Sequence, residues 1–251
     1  MTAIRKGGYY RGGIVPEGEK YVSVTTVLQA IGKPALVAWS AKVEREMVIA
    51  QAAELHATCP VEMGTASFAL RLTEMLGKEK AHTKELEKAG AIGSSIHELV
   101  EWSLRAELLQ DVGKSPILGD QAQWAYQQFQ RWRASVNLKP LLVEQTVACH
   151  CHKIAGTMDL LATVDGIVTI CDWKTGKRCY PESYLQNAAY RHCVEKMGIG
   201  KVEKGIILRL PKIIGDPEFE VVVVPGTQEE NFETFLHVKA LWDWQRKEEE
   251  P

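Results

Sequence analysis

Two aspartates and a lysine are the residues of this chain whose types and spacing best suit catalytic chemistry. Asp159 lies in the segment GTMDLLATV, and Asp172 and Lys174 lie in the segment IVTICDWK, with Asp165-Gly166 between the two. A two-residue Asp-Gly between runs rich in Val, Ile, Leu and Thr predicts a tight β-hairpin. The two runs are therefore expected to form antiparallel strands.

The register of this hairpin is expected to bring the three charged side chains together. With Val164 opposite Ile167, Asp159 falls opposite Asp172. Directly opposed residues share a sheet face, with Cβ atoms about 5 Å apart. Asp172 and Lys174 also share a face, because side chains alternate along a strand. Two carboxylates and one ammonium group should therefore converge at one end of the hairpin.

Two opposed carboxylates repel each other, so this arrangement is destabilising unless a cation lies between them. Oxygen ligands favour a hard ion such as Mg²⁺ or Mn²⁺. An ion of this kind lowers the pKa of a bound water and offsets charge on a phosphate, and Lys174 would orient that water or stabilise the phosphate. In the alternative interpretation, the aspartates are solvated strand ends and Lys174 is their ion-pair partner. The first interpretation predicts a metal-dependent phosphodiesterase.

A helix with a glutamine and a tyrosine on one face is predicted after the hairpin. The segment PESYLQNAAYRHCVEKMG begins at Pro181 and ends at Gly198, and proline in the first turn with glycine past the end is typical of a helix. Gln186 and Tyr190 are four residues apart and so lie on the same face.

The order of these motifs resembles that of a known family. His97 in GSSIHELVEW and Glu144 in KPLLVEQTVACHC precede Gly-x-x-Asp at 156–159, Asp-x-Lys at 172–174 and Gln-x-x-x-Tyr at 186–190. Residues 93–190 thereby resemble the RecB-like exonuclease branch of the PD-(D/E)XK nuclease superfamily. The resemblance implies a restriction-endonuclease-like core of class α/β, in which a mixed α+β sheet is flanked by helices and accompanied by an N-terminal helical subdomain.

The resemblance also implies roles for individual residues. The expected catalytic residues are Asp159, Asp172, Lys174 and Glu144. The expected ligands of Mg²⁺ or Mn²⁺ are Asp159, Asp172, the backbone carbonyl of Trp173, and His97. The expected substrate-binding residues are Gln186, Tyr190, Lys177 and Arg178. The ring of Trp173 is expected to point into the opposite, apolar face of the hairpin.

The implied activity is that of a sequence-nonspecific exonuclease on DNA ends or single-stranded DNA. A structure-specific endonuclease and a non-catalytic DNA-binding module with a nuclease fold are the alternatives. Similarity to phage-type members suggests recombination or repair as the setting, with a recombination or single-strand-annealing protein as a further partner.

The cysteines are expected to hold neither an iron–sulfur cluster nor zinc. Relatives that carry a cluster have three cysteines after the tyrosine motif, whereas here the last cysteine is Cys193, three residues after Tyr190. The run Cys-His-Cys-His at 149–152 is compatible with zinc by composition. Alternation along a strand, however, would place its cysteines on one face and its histidines on the other.

Charge and hydropathy set the remaining expectations. The net charge of −2 and a pI near 6.4 are not typical of a nucleic-acid-binding chain, so DNA contacts would come from local groups such as Lys177 and Arg178. The first residues show no secretory signal, and no apolar run approaches the ~18 residues of a membrane span. A cytoplasmic protein with no membrane partner is predicted, located in the host cytosol if it is phage-encoded.

The hydrophobic period changes partway along the chain. Residues 1–138 are predicted to be mainly helical and to carry the His97 element, and 139–251 to form a mixed-sheet core with a C-terminal helix, the two making one compact unit. In the second part, strands are predicted at 140–149, 156–164, 167–173, 205–210 and 218–224, and a last helix at 227–247.

Overall fold

The computed structural model describes residues 3–58, 64–117, 119–215 and 219–247. The helices are α1 (Val24–Val27), α2 (Pro34–Thr58), α3 (Thr65–Leu76), α4 (Ala81–Glu107), α5 (Asp120–Ala134), α6 (Glu182–Lys196) and α7 (Gln228–Lys247). The strands are β1 (Ile4–Lys6), β2 (Tyr9–Arg11), β3 (Tyr21–Ser23), β4 (Leu138–Cys149), β5 (Ile154–Val164), β6 (Ile167–Lys174), β7 (Lys204–Arg209) and β8 (Glu220–Val223). Among these helices, none has both the length and the apolar character that a membrane span requires.

The strands form one mixed sheet, and helices flank it, which confirms the predicted fold class. The order is β1-β2-β3-β5-β6-β7-β8, and β4 pairs with β5 outside this path. The β3–β5 and β6–β7 pairs are parallel, and the others are antiparallel. The predicted hairpin register is confirmed from Val164 opposite Ile167 to Leu160 opposite Cys171.

The chain divides into two compact units at positions other than the predicted boundary near residue 138. One unit comprises residues 1–31 and 92–251, and the other comprises 32–91. The first 31 residues, predicted to belong to a helical part, contribute β1, β2 and β3 to the sheet. Strands of three residues are too short to show a clear period-two pattern, so periodicity did not reveal them.

The 32–91 unit is helical. It contains α2, α3 and the first residues of α4, and α2 packs beside α3. Within it, Nδ1 of His82 lies 2.6 Å from Oε1 of Glu44, and the backbone N–H of His82 donates to the same oxygen over 3.1 Å. This carboxylate thus joins the start of α4 to α2.

Apolar side chains bury both faces of the sheet in the larger unit. On one face, α6 and α7 pack against strand residues that include Ile154 and Ile170. On the other face, α4 and α5 cover residues that include Trp173, whose ring meets Phe129 at 5.4 Å and Trp132 at 5.8 Å, both edge-on. The predicted inward orientation of Trp173 is therefore confirmed.

Two glycines allow α6 to lie close against the sheet. A Cβ added at Gly156 in β5 would overlap the ring of Tyr190, and one added at Gly205 in β7 would overlap Oδ1 of Asn187. Tyr190 and Asn187 both belong to α6 and are buried. The distance between helix and sheet is therefore set by the absence of side chains at these strand positions.

We expect the Gly205→Ala substitution to lower the free energy of unfolding by about 1–3 kcal/mol, because the new methyl group overpacks a buried contact. Urea denaturation measures the change. Gly200→Ala is the matched control, since a Cβ there meets no atom of the described residues within 4 Å, and its effect should stay within about 0.5 kcal/mol. Equal effects of the two substitutions would contradict this account of α6 packing.

Candidate active site

Strands β5 and β6 separate at the two predicted catalytic aspartates. Their paired register ends at Leu160 and Cys171, one residue short of Asp159 and Asp172. The backbone N–H of Trp173, beyond the end of the ladder, donates to Oδ2 of Asp159 over 2.7 Å. The Asp159 carboxylate thus satisfies a backbone donor that the sheet leaves without a strand partner, and this bond fixes its orientation.

Glu144 lies on the other side of Asp159. Val143 pairs with Leu160 and Gln145 pairs with Met158, so the register places Glu144 opposite Asp159. Glu144 has φ +47°, a left-handed conformation that costs a residue with a side chain about 1–3 kcal/mol and is concentrated at functional sites. The carboxylates of Glu144, Asp159 and Asp172 therefore form a row across β4, β5 and β6, which we call the carboxylate row.

His97 approaches this row from α4. Its Nδ1 lies 3.8 Å from Oδ1 of Asp159, and the ligand atoms of His97, Glu144 and Asp159 all lie within 4.8 Å of one another. Two carboxylates and an imidazole at this separation fit one divalent cation. The structure thus brings together two of the predicted metal ligands, Asp159 and His97, with Glu144, which the sequence had assigned to catalysis.

An acidic cleft of about 510 Å³ opens over these three residues. Besides them, it is lined by residues from one face of α4, namely Gly93, Ser94, Glu98 and Glu101. Glu101 lies four residues after His97, a spacing that puts the two side chains on the same helix face.

Burial and mutual repulsion act on the carboxylate row. Burial, followed by the charges of Asp159 and Glu101, raises the pKa of Glu144 to about 8. Burial raises the pKa of Asp172 to about 6, with Lys174 opposing the shift and Asp159 adding to it. At neutral pH Glu144 therefore holds its proton when no cation is bound, and a strongly raised carboxyl pKa of this kind is typical of functional sites.

Lys174, the last residue of β6, contacts Asp172 on the same face of the strand. Its Nζ lies 2.5 Å from Oδ2 of Asp172. Burial lowers the pKa of Lys174, but the charges of Asp172 and Asp159 outweigh burial, and the net shift is upward. Lys174 is therefore a cation at neutral pH, held against the carboxylate row.

Gln186 and Tyr190 meet on α6, as their spacing predicted. Nε2 of Gln186 donates to Oδ1 of Asp172 over 3.0 Å and to the hydroxyl of Tyr190 over 3.3 Å. Tyr190 was expected to bind substrate, but it is only 2% exposed because it packs over Gly156. The Tyr190 hydroxyl accepts a hydrogen bond from Gln186 and so helps to orient it. Gln186 in turn orients Asp172 through its own hydrogen bond.

The other predicted contacts lie around this centre. Lys177 and Arg178 are exposed in the loop after β6, where the guanidinium of Arg178 lies 4.9 Å from the centre of the Tyr180 ring. The backbone N–H of Trp173 is engaged by Asp159, and the role of its carbonyl as a metal ligand stays a prediction.

The geometric reason for dismissing zinc at 149–152 is wrong. Strand β4 ends at Cys149 and a turn follows, so strand alternation does not extend to Cys151 and His152. The structure places both residues in one group with Cys149 and with His192 of α6. The ligand atoms of these four side chains all lie within 4.8 Å of one another. His192 is 40 residues from the nearest of the other three, and no local spacing pointed to it.

The raised pKa of Glu144 gives the metal-free protein a characteristic pH dependence. The folded chain holds this proton more tightly than the unfolded chain, so its stabilising contribution is fully present below the ordinary pKa of 4.5 and is lost as the pH rises through about 8. We expect the Tm in the presence of chelator to fall across this window. The Glu144→Gln variant should lose most of the slope, measured by thermal unfolding at several pH values.

Glu98→Gln is the matched control, because Glu98 is an exposed glutamate of the same cleft. This variant should keep the wild-type slope. A Glu144→Gln protein whose Tm still falls as steeply as that of the wild type would show that another group causes the dependence.

Comparison with known proteins agrees with this geometry. The model of the PD-(D/E)XK nuclease superfamily matches residues 50–247, a range that contains the carboxylate row, His97, Lys174 and the Gln186–Tyr190 pair. A search of curated proteins found no significant match. Since the family match covers most of the 251 residues, the chain belongs to the PD-(D/E)XK nuclease superfamily.

Proposed function

We propose that this chain is a Mg²⁺- or Mn²⁺-dependent deoxyribonuclease that acts as a sequence-nonspecific exonuclease on DNA ends or single-stranded DNA. Membership of the superfamily supports a metal-dependent nuclease that hydrolyses phosphodiester bonds. The observation that best supports the proposal is the grouping of the ligand atoms of His97, Glu144 and Asp159. Beside this group, Asp172 contacts the ammonium group of Lys174. The specific metal, the exonuclease mode and the residue roles are parts of the proposal.

Four side chains are the proposed holders of the cation. Asp159, Glu144 and His97 have ligand atoms within reach of a common ion, and Asp172 lies next to them along the carboxylate row. A divalent ion bound there would lower the pKa of a bound water and offset negative charge on the scissile phosphate. Hydrogen bonds from Trp173 to Asp159 and from Gln186 to Asp172 orient the two aspartates in advance, which reduces the reorganisation that binding requires.

Lys174 is proposed to act as a cation and not as a proton acceptor. Its pKa is raised beside Asp172 and Asp159, so at neutral pH its ammonium group has no free lone pair with which to remove a proton. A fixed ammonium group can instead orient the attacking water through a hydrogen bond and stabilise the charge that develops on the phosphate. Asp172, 2.5 Å away, positions that group.

Lys177 and Arg178 are the proposed contacts to the DNA backbone. They follow Lys174 in the chain by three and four residues and are exposed, so a phosphate bound at the carboxylate row would have neighbouring phosphates near them. Such contacts do not depend on base sequence. They would also provide local positive charge in a chain whose net charge is −2.

The exonuclease mode rests on the resemblance to RecB-like members, and two alternatives remain. A structure-specific endonuclease would use the same carboxylate row on internal phosphodiester bonds. A non-catalytic DNA-binding module would not need Asp159, Asp172 and Lys174 together in working geometry, and their contacts favour an enzyme. A setting in phage recombination or repair, with a recombination or annealing protein as partner, stays a prediction of the resemblance.

We expect Asp172→Ala and Lys174→Ala each to lower the rate of DNA hydrolysis by at least about 10²–10³-fold, the usual loss when a group that stabilises transition-state charge is removed. Release of label from 5′- and 3′-labelled single- and double-stranded DNA, with Mg²⁺, with Mn²⁺ and with chelator, measures the rate. Lys201→Ala removes an exposed lysine outside the cleft and should leave the rate unchanged. Hydrolysis at the wild-type rate by either active-site variant would refute the assignment.

Circular single-stranded DNA in the same assay separates the three functions. An exonuclease leaves circles intact and releases label from linear ends without a ladder of internal fragments. Cutting of circles would establish the endonuclease, and binding without hydrolysis of any substrate would establish the non-catalytic module.

A further inference from the structure

A second group of metal-binding side chains lies outside the proposed active site. Cys149, Cys151 and His152 stand at the end of β4 and in the turn after it, and His192 stands on α6. Their ligand atoms all lie within 4.8 Å of one another, and the two sulfur atoms are 3.1 Å apart. His192 reaches the other three residues because α6 packs on the sheet.

His192 gives independent evidence that this group is a site. Its Nε2 is buried and has no hydrogen-bond partner among the residues that the structure describes, a costly state for a polar atom. Its ring stacks on Phe232 with centroids 3.7 Å apart, which fixes its orientation. The neighbouring His150 instead meets the hydroxyl of Tyr21 at 2.7 Å.

We propose that Cys149, Cys151, His152 and His192 bind one Zn²⁺ ion in a tetrahedral, structural site. Two thiolates and two neutral imidazoles balance the charge of the ion, and this Cys₂His₂ set leaves no position for a catalytic water. Zn–S bonds of about 2.3 Å at tetrahedral angles separate two sulfurs by about 3.7 Å. The sulfurs, 3.1 Å apart, therefore need to move apart by about 0.6–0.7 Å. The two thiol protons pass to solvent on binding.

This zinc would tie the end of β4 to α6. Helix α6 also carries Gln186 and Tyr190, and Phe232 of α7 packs against both histidine rings. The ion would therefore hold α6 against the sheet. Helix α6 carries Gln186, which orients Asp172 on β6. The test does not require nuclease activity, because a thiolate-to-metal charge-transfer band arises only from a site with sulfur ligands.

The test uses the full chain, reconstituted with zinc and then dialysed. We expect elemental analysis to give one zinc per chain. Cobalt in place of zinc should show the thiolate-to-metal charge-transfer band and the intense visible bands of a tetrahedral site. Removal of the zinc should lower the Tm by about 5–10 °C. Cys151→Ser should weaken binding by at least about 100-fold, because it removes a direct ligand. Since Cys151 is exposed, this variant is expected to fold.

Cys179→Ser is the matched control, because Cys179 lies outside the group; it should keep the zinc, the cobalt spectrum and the Tm shift. The charge-transfer band also separates this site from the carboxylate row, which has no sulfur ligand. A wild-type chain that stays free of zinc after reconstitution would overturn the proposal. So would an unchanged cobalt spectrum in Cys151→Ser, or a Cys149–Cys151 disulfide found by mass spectrometry in place of the metal.

Discussion

Electrostatic repulsion among the three carboxylates where β5 and β6 separate is the constraint on which the rest of this site depends. Asp172 is 1% exposed and Asp159 9%, and the register places Glu144 beside them. Carboxylates buried so close together cannot all be charged without a compensating cation. Burial raises the pKa values of Glu144 and Asp172, and the charge of Asp159 adds to both shifts.

The surrounding elements hold this repulsive arrangement in place. The β5–β6 ladder ends next to Asp159, and there the Asp159 carboxylate accepts a hydrogen bond from the backbone N–H of Trp173. A side-chain oxygen thus replaces a backbone acceptor of β5. The aromatic cluster around Trp173 fixes the strand from the opposite face, and Gln186, supported by buried Tyr190, fixes Asp172. The positive φ of Glu144 is a local strain of the kind that persists where surrounding packing over-determines the backbone. Stability from the core thus maintains a site that is unfavourable by itself.

The sequence predicted those parts of the site that local rules control. An Asp-Gly turn dictates its own register, so the approach of Asp159 to Asp172 followed from counting residues. The spacing of Gln186 and Tyr190 followed from helix geometry. The β4–β5 pairing did not, because an irregular turn connects the strands and the register shifts between Pro140 and Leu142. Local sequence patterns could not show which residues from distant segments come together. His97 was assigned through the resemblance. The burial of Tyr190 and the approach of His192 to Cys149 depend on tertiary packing.

The most direct test of the central claim is titration calorimetry of Mn²⁺ into the metal-free chain at about pH 7, in two buffers that differ in ionisation enthalpy. Glu144 has a pKa of about 8 without metal, so binding at the carboxylate row should release about one proton per chain. Both binding and proton release should be lost in Asp159→Asn. Binding that releases no proton, or that persists unchanged in Asp159→Asn, would contradict the claim that a divalent cation relieves the repulsion at this row.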